Sequence, residues 1–160
     1  MRLNLLAIDD DEVDQLAMQR ALRTLQIDAA VTWVRDVPSA FHALRGTGGA
    51  RRIERPCLIL LDLSLPGLNG REFLRRLRAD RRLRDSVVFV RSTSSAAADI
   101  AIAYRYHVAG YVVKGGGSDD TFRLVEMLDR YWRLVRLPGE SSSLPARPAT
   151  AELSAPEAGP

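Results

Sequence analysis

Residues 57–67 of the chain read CLILLDLSLPG, and this stretch decides the fold. Its first five residues are apolar and stand between Pro56 and the turn-forming pair Pro66-Gly67, a pattern typical of a strand buried on both faces of a sheet. The strand carries one carboxylate, Asp62, at its end. Because open parallel sheets bind ligands just beyond the carboxyl ends of their strands, Asp62 is predicted to be functional.

Asp62 has a plainer alternative role as a helix N-cap, since aspartate is common at that position. The helical pattern after the loop begins at Arg71, however, and Asn69 stands close to that start. Asn69 is therefore the better candidate for the cap, which favours a functional role for Asp62.

The rest of the sequence alternates strand and helix in the same way. Strands are predicted at residues 3–8, 30–34, 57–61, 87–90 and 111–113, and helices at 13–25, 38–45, 70–80, 96–107 and 118–137. Five such units predict an α/β fold, a doubly wound five-stranded parallel sheet with five helices on its two faces. Residues 1–137 are predicted to form this domain. Residues 138–160 hold five of the eight prolines and are predicted to be a disordered tail.

Composition narrows the classes of function. The 160 residues, 46% of them hydrophobic, fit one globular domain. No apolar run approaches the ~18 residues of a membrane span, so no membrane association is expected. The only cysteine, Cys57, lies in the predicted core strand and suits a reducing cytoplasm. Seven arginines between Arg71 and Arg84 are mixed with acidic residues, so we expect a solvated helix face and no nucleic-acid partner.

Lysine occurs once in the chain. The 23 basic residues comprise 22 arginines and Lys114. An ammonium is a compact point charge, whereas a guanidinium is a planar fork. Because every other basic residue except histidine is an arginine, the single lysine indicates that the site at Lys114 needs the smaller head group.

Polar residues at the ends of four predicted strands define a candidate site: Asp9-Asp10, Asp62, Ser92 and Lys114. Two carboxylates about 4 Å apart repel by about 1 kcal/mol in water and by about 4 kcal/mol at an effective dielectric constant of about 20. A hard cation removes this repulsion, and Mg²⁺ is favoured because it binds few carboxylates and keeps several waters. The lysine opposite three aspartates then suits a phosphoryl group held between metal and ammonium.

Four motifs together give the chain a family resemblance. They read IDD at 8–10, LDLSLPGLNG at 61–70, STS at 92–94 and GYVVK at 110–114. In this order and spacing they resemble the CheY-like receiver domain of two-component response regulators, from residue 3 to about residue 137. The ending YWRLVRLP at 131–138 resembles the single-domain regulators that partner bacterial phytochromes. The resemblance implies a flavodoxin-like sheet of strand order 2-1-3-4-5 and no DNA-binding output domain.

The resemblance also assigns the chemistry. Asp62 would accept a phosphoryl group from a histidine of a sensor kinase, and the resemblance implies a bacteriophytochrome as that kinase. Mg²⁺ would be held by Asp9, Asp10, Asp62 and the backbone carbonyl of Ser64. Such a protein catalyses its own phosphorylation and dephosphorylation and is not otherwise an enzyme.

Switching is assigned in the same way. Ser92 would donate its hydroxyl to the phosphoryl oxygens and Lys114 would pair with them, which makes both residues catalytic partners of Asp62. Tyr111 would be the aromatic switch that turns inward when Ser92 moves toward the phosphate.

Three residues depart from the family pattern. Arg91 stands where an aliphatic residue usually precedes the switch hydroxyl, and it is expected to snorkel or to find a carboxylate. Gly115 replaces the proline that usually follows the lysine, so no cis peptide is expected there and the loop should be looser. Ser92 in place of threonine keeps the hydroxyl and is a mild change.

Two other functions deserve comparison. A haloacid dehalogenase-like phosphatase would use Asp9 as nucleophile and Asp11 as general acid, with Ser92, Lys114 and Asp119-Asp120 completing its site. That alternative leaves no room for a cap and gives Asp62 no role. A purely scaffolding domain is also disfavoured, because an idle site need not keep every charged member.

The last predicted helix carries two apolar stripes. The first is predicted to cover the sheet and contains Phe122, Val125, Leu128, Trp132 and Val135. The second is predicted to form a homodimer interface and contains Leu124, Met127, Tyr131 and Leu134. The reason is that the combined apolar arc is wider than the ~100° that a helix packed on its own domain needs, and twofold pairing is the commonest way to bury a surplus.

Overall fold

The computed structural model describes residues 2–65, 67 and 69–139. The predicted tail from residue 140 onward lies outside these residues. Five parallel strands form one sheet in the order β2-β1-β3-β4-β5. They are β1 (Leu3–Ile8), β2 (Ala29–Val34), β3 (Leu58–Asp62), β4 (Val87–Ser92) and β5 (Gly110–Val113). The predicted fold class and strand order are confirmed.

Five helices follow the strands one by one. They are α1 (Glu12–Thr24), α2 (Val37–Arg45), α3 (Gly70–Ala79), α4 (Ala97–Arg105) and α5 (Ser118–Leu134). The predicted boundaries hold to within a few residues. The largest differences are that β4 extends to Ser92 and that α5 ends at Leu134 rather than at Leu137, because Val135 is already extended with ψ of 137°.

Short polar side chains begin three of the helices. Asp11 accepts a hydrogen bond from the backbone N–H of Val13 at 2.8 Å, and Asp36 accepts one from Ser39 at 2.7 Å. Asn69 accepts one from Glu72 at 3.0 Å. Each satisfies an amide that the first helical turn leaves without an internal partner. Asn69, not Asp62, is therefore the cap of α3, as the sequence predicted.

The central strand β3 is buried on both faces and separates two hydrophobic clusters. Leu58 and Leu60 point to the face covered by α1 and α5, where Met18, Leu22, Phe89, Leu124 and Leu128 also pack. Ile59 and Leu61 point to the opposite face, where α2, α3 and α4 contribute Phe41, Phe73, Leu74 and Ala103. Burying each large side chain contributes about 1.5–3 kcal/mol, so both faces stabilise this strand.

The alternation of side chains along the strands also orients the site. Asp62 follows Leu58 and Leu60 at the same spacing of two and so belongs to the α1–α5 face. Arg91 is the register partner of Asp62 on β4 and belongs to the same face. Ser92, the next residue of β4, belongs to the other face.

The structure corrects the two stripes predicted for α5. Leu124 is 3% exposed and packs in the core with Val125 and Leu128, so it covers the sheet and cannot be an outer interface residue. The reason is that positions 121, 124, 125 and 128 share one helix face at the 3.6-residue period. Val135, which was predicted to point inward, lies beyond the helix and is partly exposed.

The other predicted interface residues differ in exposure. Met127 and Tyr131 are partly buried against the α1–α5 cluster, and the Tyr131 ring meets Phe89 edge-on at 5.0 Å between centroids. Leu134 is 84% exposed. Among residues 2–65, 67 and 69–139, no helix is both long and apolar enough to cross a bilayer.

The cap of α2 gives a test of the fold. Asp36→Ala is expected to lower the free energy of unfolding by about 1 kcal/mol at pH 7. Hydrogen bonds from the Ser39 amide and hydroxyl lower the pKa of Asp36 from its ordinary 3.8. A depressed folded-state pKa means that the contribution is fully present above about pH 3.8 and is lost as the pH falls through the folded value.

Urea unfolding of the wild type and of Asp36→Ala, at pH 7 and at the lowest pH where both fold, measures this difference. A gap between the two proteins that does not shrink in acid would contradict the role given to the Asp36 carboxylate.

Candidate functional site

The carboxyl ends of four strands bring the predicted site residues to one edge of the sheet. Asp9 follows β1 directly, Asp62 and Ser92 end β3 and β4, and Lys114 follows β5 directly. Strands β1 and β3 are hydrogen-bonded neighbours, so Asp9 and Asp62 come from adjacent strands. Because all five strands run parallel, their carboxyl ends lie at the same edge of the sheet, and the strand order places these four side chains near one another.

Three carboxylates form a compact acidic group. Asp9, Asp10 and Asp62 each offer an oxygen, and these oxygens lie within 4.8 Å of one another. Burial raises the pKa of Asp9, and the charge of Asp62 adds to the effect, while the Asp11 amide and Lys114 oppose it. An all-oxygen donor set of this kind, with Asp10 exposed to water, fits a hard divalent cation that keeps part of its hydration.

Lys114 places its ammonium among the carboxylates. Its Nζ lies 2.9 Å from Asp62 Oδ2, 2.7 Å from Asp14 Oδ2 and 3.3 Å from Asp9 Oδ2. The three ammonium protons therefore each have an acceptor. Burial alone would lower the pKa of Lys114, but the hydrogen bonds and charges of these aspartates raise it above its ordinary value of 10.5. Lys114 is thus a fixed positive charge beside Asp62.

The loop after β3 is shaped by a close backbone approach. The amide of Gly70 donates to the carbonyl of Leu63 at 3.2 Å. A Cβ on Gly70 would lie 2.7 Å from Leu63 Cα and 2.8 Å from the Asp62 carbonyl oxygen, so only glycine fits there. The amide of Ser64 donates to Asp62 Oδ1 at 2.9 Å, which orients the carboxylate. The role of the Ser64 carbonyl as a metal ligand stays a prediction.

Ser92 and Tyr111 meet at one loop on the other face. Ser92 is 1% exposed, and its hydroxyl oxygen accepts from the Ser94 amide at 3.2 Å. The Tyr111 hydroxyl donates to the Ser94 carbonyl at 2.9 Å. The amide of Lys114 donates to the Ser92 carbonyl at 2.7 Å, so the lysine and the serine are tied through the backbone. The switch roles of Ser92 and Tyr111 remain predictions.

Asp14 is a site residue that the sequence did not predict. This residue lies on the first turns of α1, and both its carboxylate oxygens have cationic partners, Lys114 and Arg91. No local pattern pointed to Asp14, because Asp10 precedes the helix that begins at Glu12 and both cationic partners of Asp14 come from distant parts of the chain. The expectation that Arg91 would find a carboxylate is confirmed, with 3.3 Å between Nη1 and Asp14 Oδ1.

Gly115 lies next to an acidic side chain of α5. A Cβ at this position would fall 1.6 Å from Oδ2 of Asp120, whose carboxylate fills the space next to the glycine. The cis peptide bond of the described chain lies at Arg55–Pro56, and the bond after Lys114 is trans.

A model of the family described as "Response regulator receiver domain" matches residues 5–126. The chain belongs to this family. The receiver domain is similar to Response regulator Rcp1 of Synechocystis sp., with 33% identity over 135 residues, 84% of this chain and 92% of Rcp1. It is also similar to the probable methanogenesis regulatory protein FilR2 of Methanothrix harundinacea, with 34% identity over 129 residues, 80% of this chain and 82% of FilR2.

Solved structures agree with the family. The receiver resembles the Mn²⁺-bound form of Rcp1 with a TM-score of 0.75 and 33% identity, over 85% of this chain and 99% of that one. It resembles the phosphorylated cyanobacterial phytochrome response regulator RcpA with a TM-score of 0.77 and 33% identity, over 86% and 99% of the two chains. The dehalogenase-like alternative gave Asp62 no role, whereas the receiver fold places Asp62 within the acidic group.

The position of Lys114 generates a test in which the charge is kept. Lys114→Arg is expected to slow labelling of the receiver by a small phosphodonor such as acetyl phosphate about tenfold or more, because the planar guanidinium cannot contact three carboxylates from one point. Mass spectrometry of the intact protein over time measures the rate.

Arg130→Lys, which exchanges the same two side chains in an exposed pair with Glu126 on α5, is the matched control and should label as the wild type does. Normal labelling of Lys114→Arg would refute the need for an ammonium at this position.

Proposed function

We propose that this receiver domain is a two-component response regulator of the phytochrome-linked type, which accepts a phosphoryl group on Asp62 from a sensor histidine kinase. The observation that carries the proposal is the grouping of Asp62 with Asp9, Asp10 and Lys114 at the carboxyl end of β3. A nucleophilic carboxylate, a place for a divalent cation and a fixed ammonium are the parts that phosphoryl transfer to a carboxylate requires.

The transfer itself is a displacement at phosphorus. A carboxylate oxygen of Asp62 forms the new P–O bond, and the P–N bond to the kinase histidine breaks with its electron pair left on the imidazole. Mg²⁺ bound by Asp9, Asp10, Asp62 and the predicted Ser64 carbonyl would supply neutralising charge at the phosphoryl oxygens. The Ser64 amide holds Asp62 in orientation at 2.9 Å, and Lys114 provides the second positive contact.

Switching would begin on the face of the sheet opposite α1 and α5. The Ser92 hydroxyl would turn from the Ser94 amide to a phosphoryl oxygen, and Tyr111 would give up its bond to the Ser94 carbonyl and move inward. Both bonds end on Ser94, so one movement of this loop would couple them. The self-catalysed loss of the phosphoryl group by hydrolysis would return the domain to its resting state.

The phytochrome link rests on the relatives. RcpA is named as a phytochrome response regulator, and the similarity to it covers 86% of this chain. We therefore infer a phytochrome-type sensor kinase as the phosphodonor and the cytoplasm as the compartment, which suits the buried thiol of Cys57. Output would pass through protein contacts or through the draining of phosphate from the kinase, and not through nucleic acid.

The phosphoacceptor is tested by Asp62→Asn, which keeps the shape and removes the nucleophilic charge. With acetyl phosphate and Mg²⁺ the wild type should gain one phosphoryl mass, located on Asp62 by peptide mapping, and Asp62→Asn should gain none. Asp28→Asn removes an exposed carboxylate that pairs with Arg2, and it should label normally. Labelling of Asp62→Asn at the wild-type rate would rule out the assignment.

We also propose a homodimer through the outer end of α5. Its interface excludes Leu124, which is buried in the core. Leu134 is 84% exposed, and Met127 and Tyr131 lie partly exposed on the same helix. A twofold contact would bury this apolar end of the helix against a second copy.

Leu134→Glu is expected to shift the protein toward monomer by at least tenfold in dissociation constant, because it places a charge in the apolar contact. Light scattering across micromolar concentrations measures the shift. Leu16→Glu on α1 changes an equally apolar residue that is 64% exposed, and it should leave the association state unchanged. A wild-type monomer at these concentrations would exclude the dimer.

A further inference from the structure

Arg91 is a buried arginine inside a strand, and its contacts lead directly to the phosphoacceptor site. Its side chain is 8% exposed and lies on the α1–α5 face. Nη2 donates to the Thr121 hydroxyl on α5 at 3.2 Å, and Nη1 lies 3.3 Å from Asp14 Oδ1 on α1. The second oxygen of Asp14 accepts from Lys114 at 2.7 Å, and Lys114 contacts Asp62 at 2.9 Å. One line of polar contacts therefore joins α5 to Asp62.

Asp14 differs from the other carboxylates near Lys114. Asp9 and Asp62 belong to the acidic group whose oxygens lie within 4.8 Å of one another, and Asp14 does not. A divalent cation and a phosphoryl group would both draw on Asp9 and Asp62. Asp14 also contacts Lys114, but it would bind neither the cation nor the phosphoryl group. Its contact with Lys114 can therefore persist through the reaction.

The two oxygens of Asp14 are divided between two cations. Oδ1 faces Arg91 and Oδ2 faces Lys114, so the carboxylate cannot rotate without losing one partner. Burial alone would raise the pKa of Asp14, but the hydrogen bond from Lys114 and the charges of Arg91 and Lys114 lower it. Asp14 is therefore held as a carboxylate in one orientation.

Arg91 and Asp14 also depend on each other for burial. A buried guanidinium without an anion is strongly disfavoured, and the partly buried Asp14 carboxylate would lose one of its two cations if Arg91 were removed. Asp14, Arg91, Asp9 and Asp62 all line one small cavity, together with apolar residues of β1, β3 and α1 and with Trp33, and its volume of about 10 Å³ is room for about one water. The pair and the predicted phosphoacceptor therefore share one small, mostly filled space.

We propose that Asp14 and Arg91 are positioning residues for Lys114: Asp14 holds the ammonium beside Asp62, and Arg91 acts on the lysine only through Asp14. The kinetic part of this proposal rests on the proposed phosphoacceptor function, whereas the structural part concerns the resting protein alone. The two parts are tested separately, so failure of one is distinguishable from failure of the other.

The structural part can be read from a single signal. Lys114 is the only lysine in the chain, so protein grown with ¹⁵N-lysine carries one side-chain ammonium resonance. In metal-free, unphosphorylated wild type we expect a resonance with slow proton exchange, because all three protons are hydrogen-bonded. Asp14→Asn should speed this exchange at least fivefold, and Arg91→Met should speed it by a smaller factor.

A matched control separates positioning from general destabilisation. Asp36→Ala removes the side chain that caps α2 away from the site, so it should lower the midpoint of thermal unfolding and leave the lysine signal unchanged. Arg91→Gln, which retains a donor for Asp14 without the charge, replaces Arg91→Met if the latter fails to fold. Arg91→Lys is avoided because it would add a second lysine resonance.

The kinetic part uses a double-mutant cycle on labelling by acetyl phosphate with Mg²⁺. Asp14→Asn is expected to slow labelling of Asp62 about tenfold, which is the lower end of the loss known for removing a residue that orients a metal ligand. Arg91→Met should slow it severalfold in the wild-type background and less than twofold in the Asp14→Asn background, since its route to the lysine is then absent.

Each outcome tests one part of the proposal. A lysine signal in Asp14→Asn that matches the wild type overturns the positioning role, whatever the kinetics show. Equal effects of Arg91→Met in both backgrounds overturn the claim that Arg91 acts through Asp14 and assign its effect to Thr121 and α5. If wild type itself takes no phosphoryl group, the proposed function fails while the signal of Lys114 still tests the pair.

Discussion

The contact between the Lys114 ammonium and the Asp62 carboxylate is the interaction on which the rest of the site depends. Asp62, Asp9 and Asp14 all approach one ammonium, at 2.7 to 3.3 Å. Without that charge, carboxylates from three different elements would repel one another at the end of the sheet, where burial strengthens the repulsion. The fold tolerates this concentration of negative charge because β5 ends where its lysine can reach all three.

The alternation of side chains along β3 and β4 divides the chemistry from the switch. Asp62 and Arg91 are register partners and share the α1–α5 face, where Asp14 and Lys114 meet them. Ser92 comes one residue later and belongs to the face that Tyr111 and the Ser94 loop occupy. One sheet therefore keeps the charged residues on one side and the hydroxyl groups that would respond on the other, while the backbone bond from Lys114 to the Ser92 carbonyl connects them.

Much of this arrangement could be predicted from the sequence, because strands buried on both faces are continuous apolar runs and their polar ends must share one edge of a parallel sheet. Asp9, Asp62, Ser92 and Lys114 were found in that way. Asp14 was not, since its partners lie 77 and 100 residues away and pairing of that kind is a tertiary property. The prediction of two separate stripes on α5 was wrong for a related reason. Periodicity alone cannot show which of two neighbouring rows of apolar residues faces the sheet when the packing angle of the helix is unknown.

Two of the three departures from the family pattern each lie against a second residue. Arg91 would be an uncompensated charge in the core if Asp14 were absent, and Gly115 leaves the space that the Asp120 carboxylate fills. In both cases one partner lies at the carboxyl end of the sheet and the other lies on a helix of the α1–α5 face. A substitution that returned only Arg91 to an aliphatic residue would leave Asp14 without one of its two cations. Each unusual residue is therefore best understood together with the residue that it contacts. Comparison of Arg91 alone with the family pattern would suggest an unfavourable buried charge, although Asp14 compensates that charge.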